Sequence, residues 1–464
     1  MKTLFITSFQ PFISRNILNT DVLRLLKKEK DLQIVILVPQ EKIDFFNEFF
    51  RSDSVIIEGM NLDPIRNSKS IKFFHNQAFL FIRSHYNTYT RRDLLKPETS
   101  LFGFIKFHFL NFINNVFSHL EGLKKIFRWL DKIITPNNFF EALFEKYKPD
   151  LMFATDIYND FDQALIKESK ERNIFCVGMI RSWDNNYSKG LCRYFPDKVL
   201  TNNEIIKKEF VKLHGYQISN IVVVGLPQFD DYTKAPFQSR EEFFRKIGGD
   251  PEKRLILISP AGYPLVHEDA DDEICFALKK AQDEDELPKD LQFLIRSHPH
   301  RPTKLRYFIP PKNFIVEQNS TSFKTPGKGA EFSPEDKIHL VNSLYYSEVI
   351  AWGITTLGID ALAFNKPQIY IDFDGAKNKP YWHSITRYYD EDHMRKFLDT
   401  GAVRRARNPQ ELAYWISKYL KNPHLDEDKR AIAARDQLWK NDGKSGERIA
   451  GMLLAELKRV ILNH

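Results

Sequence analysis

Short apolar runs alternate with longer amphipathic stretches along the whole chain. In the first half, such runs lie at residues 3–8, 33–38, 54–57, 149–154, 174–178, 197–201 and 220–225. In the second half, they lie at residues 254–259, 291–297, 314–317, 348–352 and 368–372. Apolar runs of strand length separated by helical periodicity are typical of βαβ units. The pattern therefore predicts an α/β fold built from parallel strands in both halves.

The chain has 464 residues, which is too long for one ordinary core and indicates two domains. A turn-rich segment at 226–236 separates the halves. We predict an N-terminal domain at 1–235, a C-terminal domain at 236–441 and a terminal helix at 442–464. Two Rossmann-like domains that face each other would leave a cleft between them, a common place for a ligand site.

Residues 66–132 interrupt the first domain with a segment rich in Phe, Lys, His and Asn, which we interpret as a helical insertion. Two interpretations of its basic, aromatic part at 100–130 stay open. Its helices either pack on their own domain or form a peripheral contact with anionic lipid. The density of apolar residues leaves no clean polar face, which favours the first interpretation.

Composition narrows the class of protein. Charged residues make up 28% and hydrophobic residues 42% of the chain, which is ordinary for a folded globular protein. The net charge of +7 suits anionic ligands but is too small to indicate nucleic acid binding. The three cysteines are far apart and lack metal-ligand spacing, as in a reducing compartment. With no run long enough for a signal peptide or a membrane span, we expect a cytoplasmic protein, with contact at the inner face of the membrane left open.

The strand at 348–352 runs through Gly353, Thr355 and Thr356 directly into a helix. Glycine lets a ligand approach the backbone, and the hydroxyls and first-turn N–H groups can bind phosphate. The carboxylate of Asp360, one turn further on, is placed to accept a hydrogen bond from a ribose hydroxyl. Alternatively, this is an ordinary strand-loop-helix unit in which a threonine caps the helix and Asp360 is solvated. Polar groups after two further strands, at 294–299 and 372–375, favour the ligand site.

Five motifs follow one another in a recognisable order. They are Val224–Asp230, Leu294–Pro299, Thr355–Asp360 with residues 363–367, Asp372–Gly375 and Asp442–Arg448. This order resembles that of the GT-B glycosyltransferases, nearest to CDP-glycerol glycerophosphotransferases and bacterial surface-polysaccharide transferases. The resemblance implies that the C-terminal domain holds the nucleotide of an activated donor and that the N-terminal domain receives the acceptor. It also implies that the terminal helix at 442–464 crosses back to the first domain.

Donor-side residues are carried over from the resemblance. It implies Arg296 and His298 at the donor phosphates, Thr355 and Thr356 at the pyrophosphate, Asp360 at the ribose, and Asp372 and Asp374 at the cleft edge. Arg296 suits a bidentate phosphate clamp. His298 is a candidate catalytic acid or phosphate donor, or else it simply ends the strand before Pro299. No metal or cofactor is expected, because cations and helix ends can stabilise the leaving nucleotide.

Transfer to an acceptor hydroxyl also needs a base, which we expect in the N-terminal domain. Asp184, in the polar segment 181–190, is the candidate catalytic base, and Asp156 is a second candidate. The acceptor-side residues would be Arg15, Arg181, Asn185 and Lys189. Alternatively, Asp184 and Asn185 form a hydrogen-bonded turn, and Arg15 lies beside a helix cap.

The sequence therefore predicts a glycosyltransferase that moves a sugar from a nucleotide-activated donor to a saccharide or lipid-linked acceptor for surface polysaccharide or a glycoconjugate. The His-Gly pairs expected of the glycerophosphotransferases are missing, which counts against polyol-phosphate transfer. That activity and a nucleotide-sugar 2-epimerase remain alternatives within enzymes. A non-catalytic nucleotide-binding or scaffold protein is the alternative outside them.

Overall fold

The computed structural model describes residues 1–87, 100–297, 301, 303–317, 331, 333–375, 377 and 379–462. The chain divides into two compact units, unit 1 with residues 1–230 and 442–464 and unit 2 with residues 231–441. Each unit is built on a parallel sheet with helices between its strands. The predicted α/β class is confirmed.

Within the described residues, the sheet of unit 1 has seven strands in the order β3-β2-β1-β4-β5-β6-β7. The strands are β1 (Lys2–Thr7), β2 (Leu32–Pro39), β3 (Val55–Met60), β4 (Leu151–Ala154), β5 (Phe175–Met179), β6 (Lys198–Thr201) and β7 (Ile221–Val223). Its α-helices are α1 (Asp21–Leu26), α2 (Ile43–Phe50), α3 (Asp63–Asn67), α4 (Lys69–Ala78), α5 (Leu101–His119), α6 (Glu121–Ile134), α7 (Glu141–Tyr147), α8 (Asp160–Glu171), α9 (Asn185–Ser188) and α10 (Glu204–His214). A π-helix at Ser14–Leu18 follows β1, and Thr20 caps α1 by accepting the N–H of Val22.

In unit 2, the described residues form a six-stranded sheet in the order β10-β9-β8-β11-β12-β13. Its strands are β8 (Arg254–Ser259), β9 (Leu291–Arg296), β10 (Phe314–Glu317), β11 (Ser347–Trp352), β12 (Gln368–Ile371) and β13 (Arg404–Ala406). Its α-helices are α11 (Arg240–Ile247), α12 (Ala270–Asp283), α13 (Pro334–Tyr346), α14 (Leu357–Leu362), α15 (Asp392–Leu398), α16 (Pro409–Lys421) and α17 (Glu427–Leu438). The segment predicted to be a linker forms a 3-10 helix at Pro227–Lys234.

Both sheets contain a point where the direction of strand succession reverses. In unit 1 it lies between β1 and β4, and in unit 2 between β8 and β11. The loops that follow the two strands at such a point diverge to opposite faces of the sheet and leave a crevice, which is where open α/β sheets bind ligands. These two crevices are therefore the candidate ligand sites of the two units.

The insertion at 66–132 is helical in its described part, as predicted, and includes α4, α5 and α6. Ser100 starts α5 by accepting the N–H of Gly103 at 3.0 Å. Phe127 of α6 packs into a buried cluster with Phe74, Phe81 and Leu191, and Phe117 of α5 lies against it. In the part of the chain that the structure describes, no helix is long and apolar enough to cross a membrane.

The last helix, α18 (Ser445–Leu462), belongs to unit 1 and packs on α1. The buried carboxylate of Asp230 accepts the backbone N–H groups of Ser445 at 2.9 Å and Gly446 at 2.6 Å. A Cβ on Gly446 would lie 3.0 Å from the backbone nitrogen of Val22, so the small residue allows α18 to approach α1. Two motifs of the resemblance, Val224–Asp230 and Asp442–Arg448, thus contact each other and hold this helix.

Candidate functional site

The crevice of unit 2 is formed where the loops after β8 and β11 approach each other closely. Gly353 donates its N–H to the carbonyl of Ser259 at 2.9 Å. A Cβ at Gly353 would lie 2.7 Å from the backbone nitrogen of Ala261, so a larger residue would force the two loops apart. The same loops share a buried cluster that includes Ala261, Val266 and Ile385, with Ile354 packed against it. The glycine that the sequence singled out is therefore required by the close approach of two loops.

Arg301 reaches this crevice and was not anticipated from the sequence. Its Nη2 donates to the carbonyl oxygen of Ile354 at 2.9 Å, in the middle of the loop that joins β11 to α14. Burial lowers the pKa of the guanidinium, yet arginine stays charged at any working pH. The available signal was the basic run from Arg296 to Arg301, in which our interpretation favoured the first arginine. The structure thus holds a partly buried cation at the strand ends.

Thr355 and Thr356 differ in what their hydroxyls do. The Oγ1 of Thr355 accepts the N–H of Leu357 at 3.3 Å, so this residue helps to start α14. Thr356 occupies the N-cap position without a capping hydrogen bond from its side chain, and it is exposed. Because α14 has only six residues, its helix dipole is a weak source of positive charge. Any phosphate bound here would depend mainly on Thr356, the backbone N–H groups and Arg301.

Asp360 has a structural partner. It is 2% exposed, and its Oδ1 accepts the hydroxyl of Tyr232 at 2.5 Å. The Tyr232 ring stacks on Phe364 with centroids 5.2 Å apart, so the hydroxyl is held in place. The solvated alternative for Asp360 is wrong, because the carboxylate is buried. The ribose contact stays a prediction.

Arg296, at the end of β9, forms an ion pair with the neighbouring edge strand. Its Nη1 lies 3.3 Å from Glu317 at the end of β10, and the other Glu317 oxygen lies 2.6 Å from Nε2 of His339. Burial by itself would raise the pKa of Glu317, but the hydrogen bond from His339 and the charge of Arg296 lower it. Arg296 therefore neutralises a carboxylate, and its phosphate clamp stays a prediction. His298 lies outside the described residues.

The two aspartates after β12 stabilise the surrounding loops and strands. The carboxylate of Asp374 accepts the N–H groups of Ile385 at 2.8 Å and Lys379 at 3.3 Å and thereby fixes the loop that follows it. Asp372 pairs with Arg405, although burial raises its pKa to about 7. Neither carboxylate is exposed. Both residues shape the strand-end loops of unit 2.

In unit 1, the strand ends near the switch point gather charged side chains. Asp156, after β4, is 2% exposed, accepts the N–H of Tyr158 at 3.1 Å and pairs with Nε of Arg181 at 3.0 Å. Asp184 precedes α9 and accepts the hydroxyls of Ser182 at 2.5 Å and Ser188 at 2.6 Å. The structure thus brings Asp156 and Arg181 into contact and holds both oxygens of Asp184 in fixed positions.

Several buried polar atoms at the same end of unit 1 lack a hydrogen-bond partner. They are Oγ of Ser8 after β1, Oδ1 and Nδ2 of Asn185 in α9, and Oδ1 of Asn202 after β6. A buried polar group without a partner costs free energy, so such groups commonly mark a ligand or water site. Among the other acceptor-side residues, Lys189 is exposed and Arg15 lies in the π-helix after β1. Unit 1 therefore offers unpaired buried polar atoms at its strand ends, which suit a polar ligand or water.

A buried network underlies this end of the sheet. Thr7 donates to Asp162, and the backbone N–H of Thr155 donates to the Thr7 oxygen at 2.9 Å. Burial raises the pKa of Asp162 to about 7. Sequence analysis missed this network because its members lie about 150 residues apart in the chain. Across the described residues, no group of three or more His, Cys, Asp or Glu side chains is arranged to hold a metal ion.

No protein-family model matches the sequence, and no curated protein matches it either. Solved structures match along the full chain. An S. aureus MnaA–UDP co-structure has a TM-score of 0.55 and 13% identity, covering 99% of this chain and 97% of that chain. The wall teichoic acid polymerase TagF, in a crystal soaked with CDPG, has a TM-score of 0.55 and 10% identity, covering 99% and 90%.

A third solved structure, UDP-GlcNAc 2-epimerase from Neisseria meningitidis bound to UDP-GlcNAc, has a TM-score of 0.51 and 11% identity, covering 98% of this chain and 100% of that chain. At such identities the likeness concerns the fold alone. Together with the two parallel sheets, it confirms the predicted GT-B fold.

Proposed function

We propose that unit 2 binds the diphosphate of a nucleotide-activated sugar at its switch point and that the protein transfers this sugar to an acceptor bound by unit 1. One observation carries the proposal. The loops after β8 and β11 approach each other closely at Gly353, and Thr356 is exposed in a loop that a partly buried arginine, Arg301, holds by a hydrogen bond. Backbone, hydroxyl and guanidinium donors are the groups that bind a diphosphate.

The chemistry required of the residues is modest. The acceptor oxygen attacks the anomeric carbon, its proton moves to a base, and the bond to the diphosphate breaks with the electron pair leaving on the diphosphate. Asp184 suits the base because the hydroxyls of Ser182 and Ser188 hold its two carboxylate oxygens in fixed positions. Asp156 is the weaker candidate because Arg181 already pairs with it. Arg301 and Thr356 would stabilise the leaving diphosphate.

A 2-epimerase of nucleotide sugars is the second candidate. Its support is the full-length likeness to a UDP-GlcNAc 2-epimerase, together with the two carboxylates at the strand ends of unit 1. Inverting a carbon that bears a hydrogen requires its C–H bond to break, whereas sugar transfer leaves every C–H bond intact. The two activities therefore differ in whether solvent hydrogen enters the sugar.

The donor site is tested by thermal shift with UDP, CDP, GDP, CMP and their sugar conjugates. A ligand that binds only the folded protein raises the melting temperature, by RT ln(1 + [L]/Kd) in free energy. We expect one base to stabilise the wild type. Thr356→Val should weaken this binding about 10- to 150-fold, because a hydrogen bond to a charged group contributes about 1.5–3 kcal/mol. Thr356→Ser keeps the hydroxyl and should bind like the wild type. No shift with any nucleotide would favour the non-catalytic scaffold.

The reaction is tested by incubating the protein with the stabilising nucleotide sugar in deuterated water. Transfer predicts release of nucleoside diphosphate that depends on added acceptor, and no deuterium at C2. Epimerisation predicts deuterium at C2 and no net release. Asp184→Asn should abolish acceptor-dependent release while leaving the thermal shift intact, because the residue lies in unit 1 and the donor is proposed to bind unit 2.

A further inference from the structure

The helices α5 and α6 rest on unit 1 through a narrow inner face. On α5, the buried positions are Gly103, Phe107 and Asn114, and the Nδ2 of Asn114 donates to the carbonyl of Leu80 at 2.9 Å. On α6, the buried positions are Lys124, Phe127 and Asp131. Spacings of three, four and seven residues place each set on one side of its helix. Both helices are thus fixed to the body of the unit by one side only.

The opposite sides of both helices are apolar and exposed to solvent. We call this set the outer face, and every member is at least 38% exposed: Leu101, Phe102, Ile105, Phe109, Phe112, Ile126, Trp129, Leu130 and Ile133. The members recur at intervals of three and four residues, so each helix carries a continuous apolar stripe. Scattered apolar residues on a surface need no explanation, but a contiguous aromatic and aliphatic patch indicates a binding surface. Both helices thus pack on their own domain through their inner faces, whereas the outer face is left exposed.

The charges beside the outer face are mostly positive. Lys106, Lys125 and Lys132 are exposed on the two helices. The two acidic residues of these helices are engaged: Glu121 pairs with Lys124 at 2.6 Å, and Asp131 is fully buried beside Arg193 at 3.3 Å. An aromatic and aliphatic stripe flanked by lysines that can extend toward phosphate groups is the pattern of a helix lying in a membrane interface.

We propose that the outer face of α5 and α6 binds the surface of an anionic phospholipid bilayer. The apolar side chains would enter the boundary between headgroups and acyl chains, and the lysines would contact lipid phosphates. A second copy of the chain suits this face less well. In a two-fold contact the same patch meets itself, which would bring the lysines of one copy against those of the other.

Co-sedimentation with vesicles tests the proposal on the full chain. We expect binding to vesicles of phosphatidylcholine mixed with phosphatidylglycerol and weaker binding to phosphatidylcholine alone. Raising the salt concentration should reduce binding to the mixed vesicles, because screening shortens the reach of the lysine charges. Reversing Lys125 and Lys132 to Glu should lower affinity at least about 30-fold, from the contribution of two lysines near a charged surface.

Matched variants distinguish binding through the outer face from the effect of any added surface charge. Ile105→Asp combined with Ile133→Asp should abolish sedimentation, whereas Ile218→Asp should not, although Ile105 and Ile218 are both 57% exposed. Lys27→Glu with Lys28→Glu controls for the change in net charge, since both lysines are exposed elsewhere on unit 1. Unchanged melting temperatures would show that the variants fold.

Two results would overturn the proposal. The first is sedimentation that is absent in the wild type or unaffected by the Ile105 and Ile133 changes. The second is a concentration-dependent dimer, seen by analytical ultracentrifugation, that the same two changes abolish, because the outer face would then bind another copy of the chain.

Discussion

Replacing Asp230 by Ala should loosen the attachment of α18 to the rest of unit 1. In the structure, the carboxylate of Asp230 accepts the N–H groups of Ser445 and Gly446, the first two residues of that helix. These N–H groups have no partner within a helix, because the first turn lacks preceding carbonyls. Alanine would leave both buried donors without an acceptor.

The expected loss follows from those two hydrogen bonds. A buried donor left unpaired costs about 1–3 kcal/mol, so two donors set a range of about 2–6 kcal/mol. Burial raises the pKa of Asp230 in spite of its two donors, which shows that desolvation of the carboxylate offsets part of their benefit. We therefore expect Asp230→Ala to lower the free energy of unfolding by an amount in the lower part of the range, about 2–4 kcal/mol. Asp230→Asn keeps one acceptor oxygen and should lose roughly half as much.

Hydrogen exchange followed by mass spectrometry is the assay, because it reports the opening of individual segments. Peptides from α18 and from α1, on which it packs, should exchange faster in Asp230→Ala, while peptides from unit 2 should not change. Asp442→Ala is the control, because it removes only exposed or partly exposed contacts. These are a pair with Arg448, a kind worth about 0–1 kcal/mol, and a hydrogen bond from the N–H of Lys444 at 3.2 Å. Equal exchange in α18 of the wild type and Asp230→Ala would refute the reasoning.

Three further predictions concern buried groups. Cys176, Cys192 and Cys275 are buried, and burial raises the pKa of Cys192 to about 12, so a thiol reagent should label no cysteine in the native protein and all three after denaturation. Burial raises the pKa of Asp162 to about 7, so its contribution to stability is complete below about pH 4 and is lost as the pH rises to 7. The free energies of urea unfolding at pH 5 and pH 8 should therefore differ less in Asp162→Asn than in the wild type. Tyr232→Phe keeps the ring stack with Phe364 but removes a donor from buried Asp360, so urea unfolding should show a loss of about 1–3 kcal/mol.

Most of the fold followed from local pattern. The strands Arg254–Ser259 and Gln368–Ile371 are apolar runs between turn signals, and a parallel strand buried on both faces has to look like that. The α1 region shows where pattern is insufficient. The amphipathic stretch from about Asn16 to Lys28, between the first two apolar runs, predicts one helix. The structure instead has a π-helix and then α1, which begins after the Thr20 cap. A cap inside a periodic stretch changes the chain direction without changing the hydrophobic period.

The candidate site was less predictable, because its properties depend on partners distant in sequence. Asp360 looked like a ribose ligand by its spacing from Thr356, yet Tyr232, 128 residues away, donates to it. Arg296 was predicted to clamp a donor phosphate, yet Glu317 pairs with it across neighbouring strands. Spacing along one helix or strand determines which face a residue occupies. Only the tertiary fold determines whether its side chain already has a hydrogen-bond or ion-pair partner.

Gly353 and Arg301 are a sounder basis for the proposed donor site than Asp360 and Asp374, which the sequence analysis placed there. A ligand site needs polar groups whose geometry is fixed by the fold but whose bonding capacity is not exhausted by it. Gly353 is fixed by the backbone of Ala261, and Arg301 is fixed by one hydrogen bond to Ile354, while a guanidinium has five N–H donors. Asp360 and Asp374, in contrast, hold the loops in place through the bonds that they already accept. Substitutions at these aspartates would therefore test stability first, and the donor site is better tested at Thr356, where the hydroxyl can be removed without disturbing a capping bond.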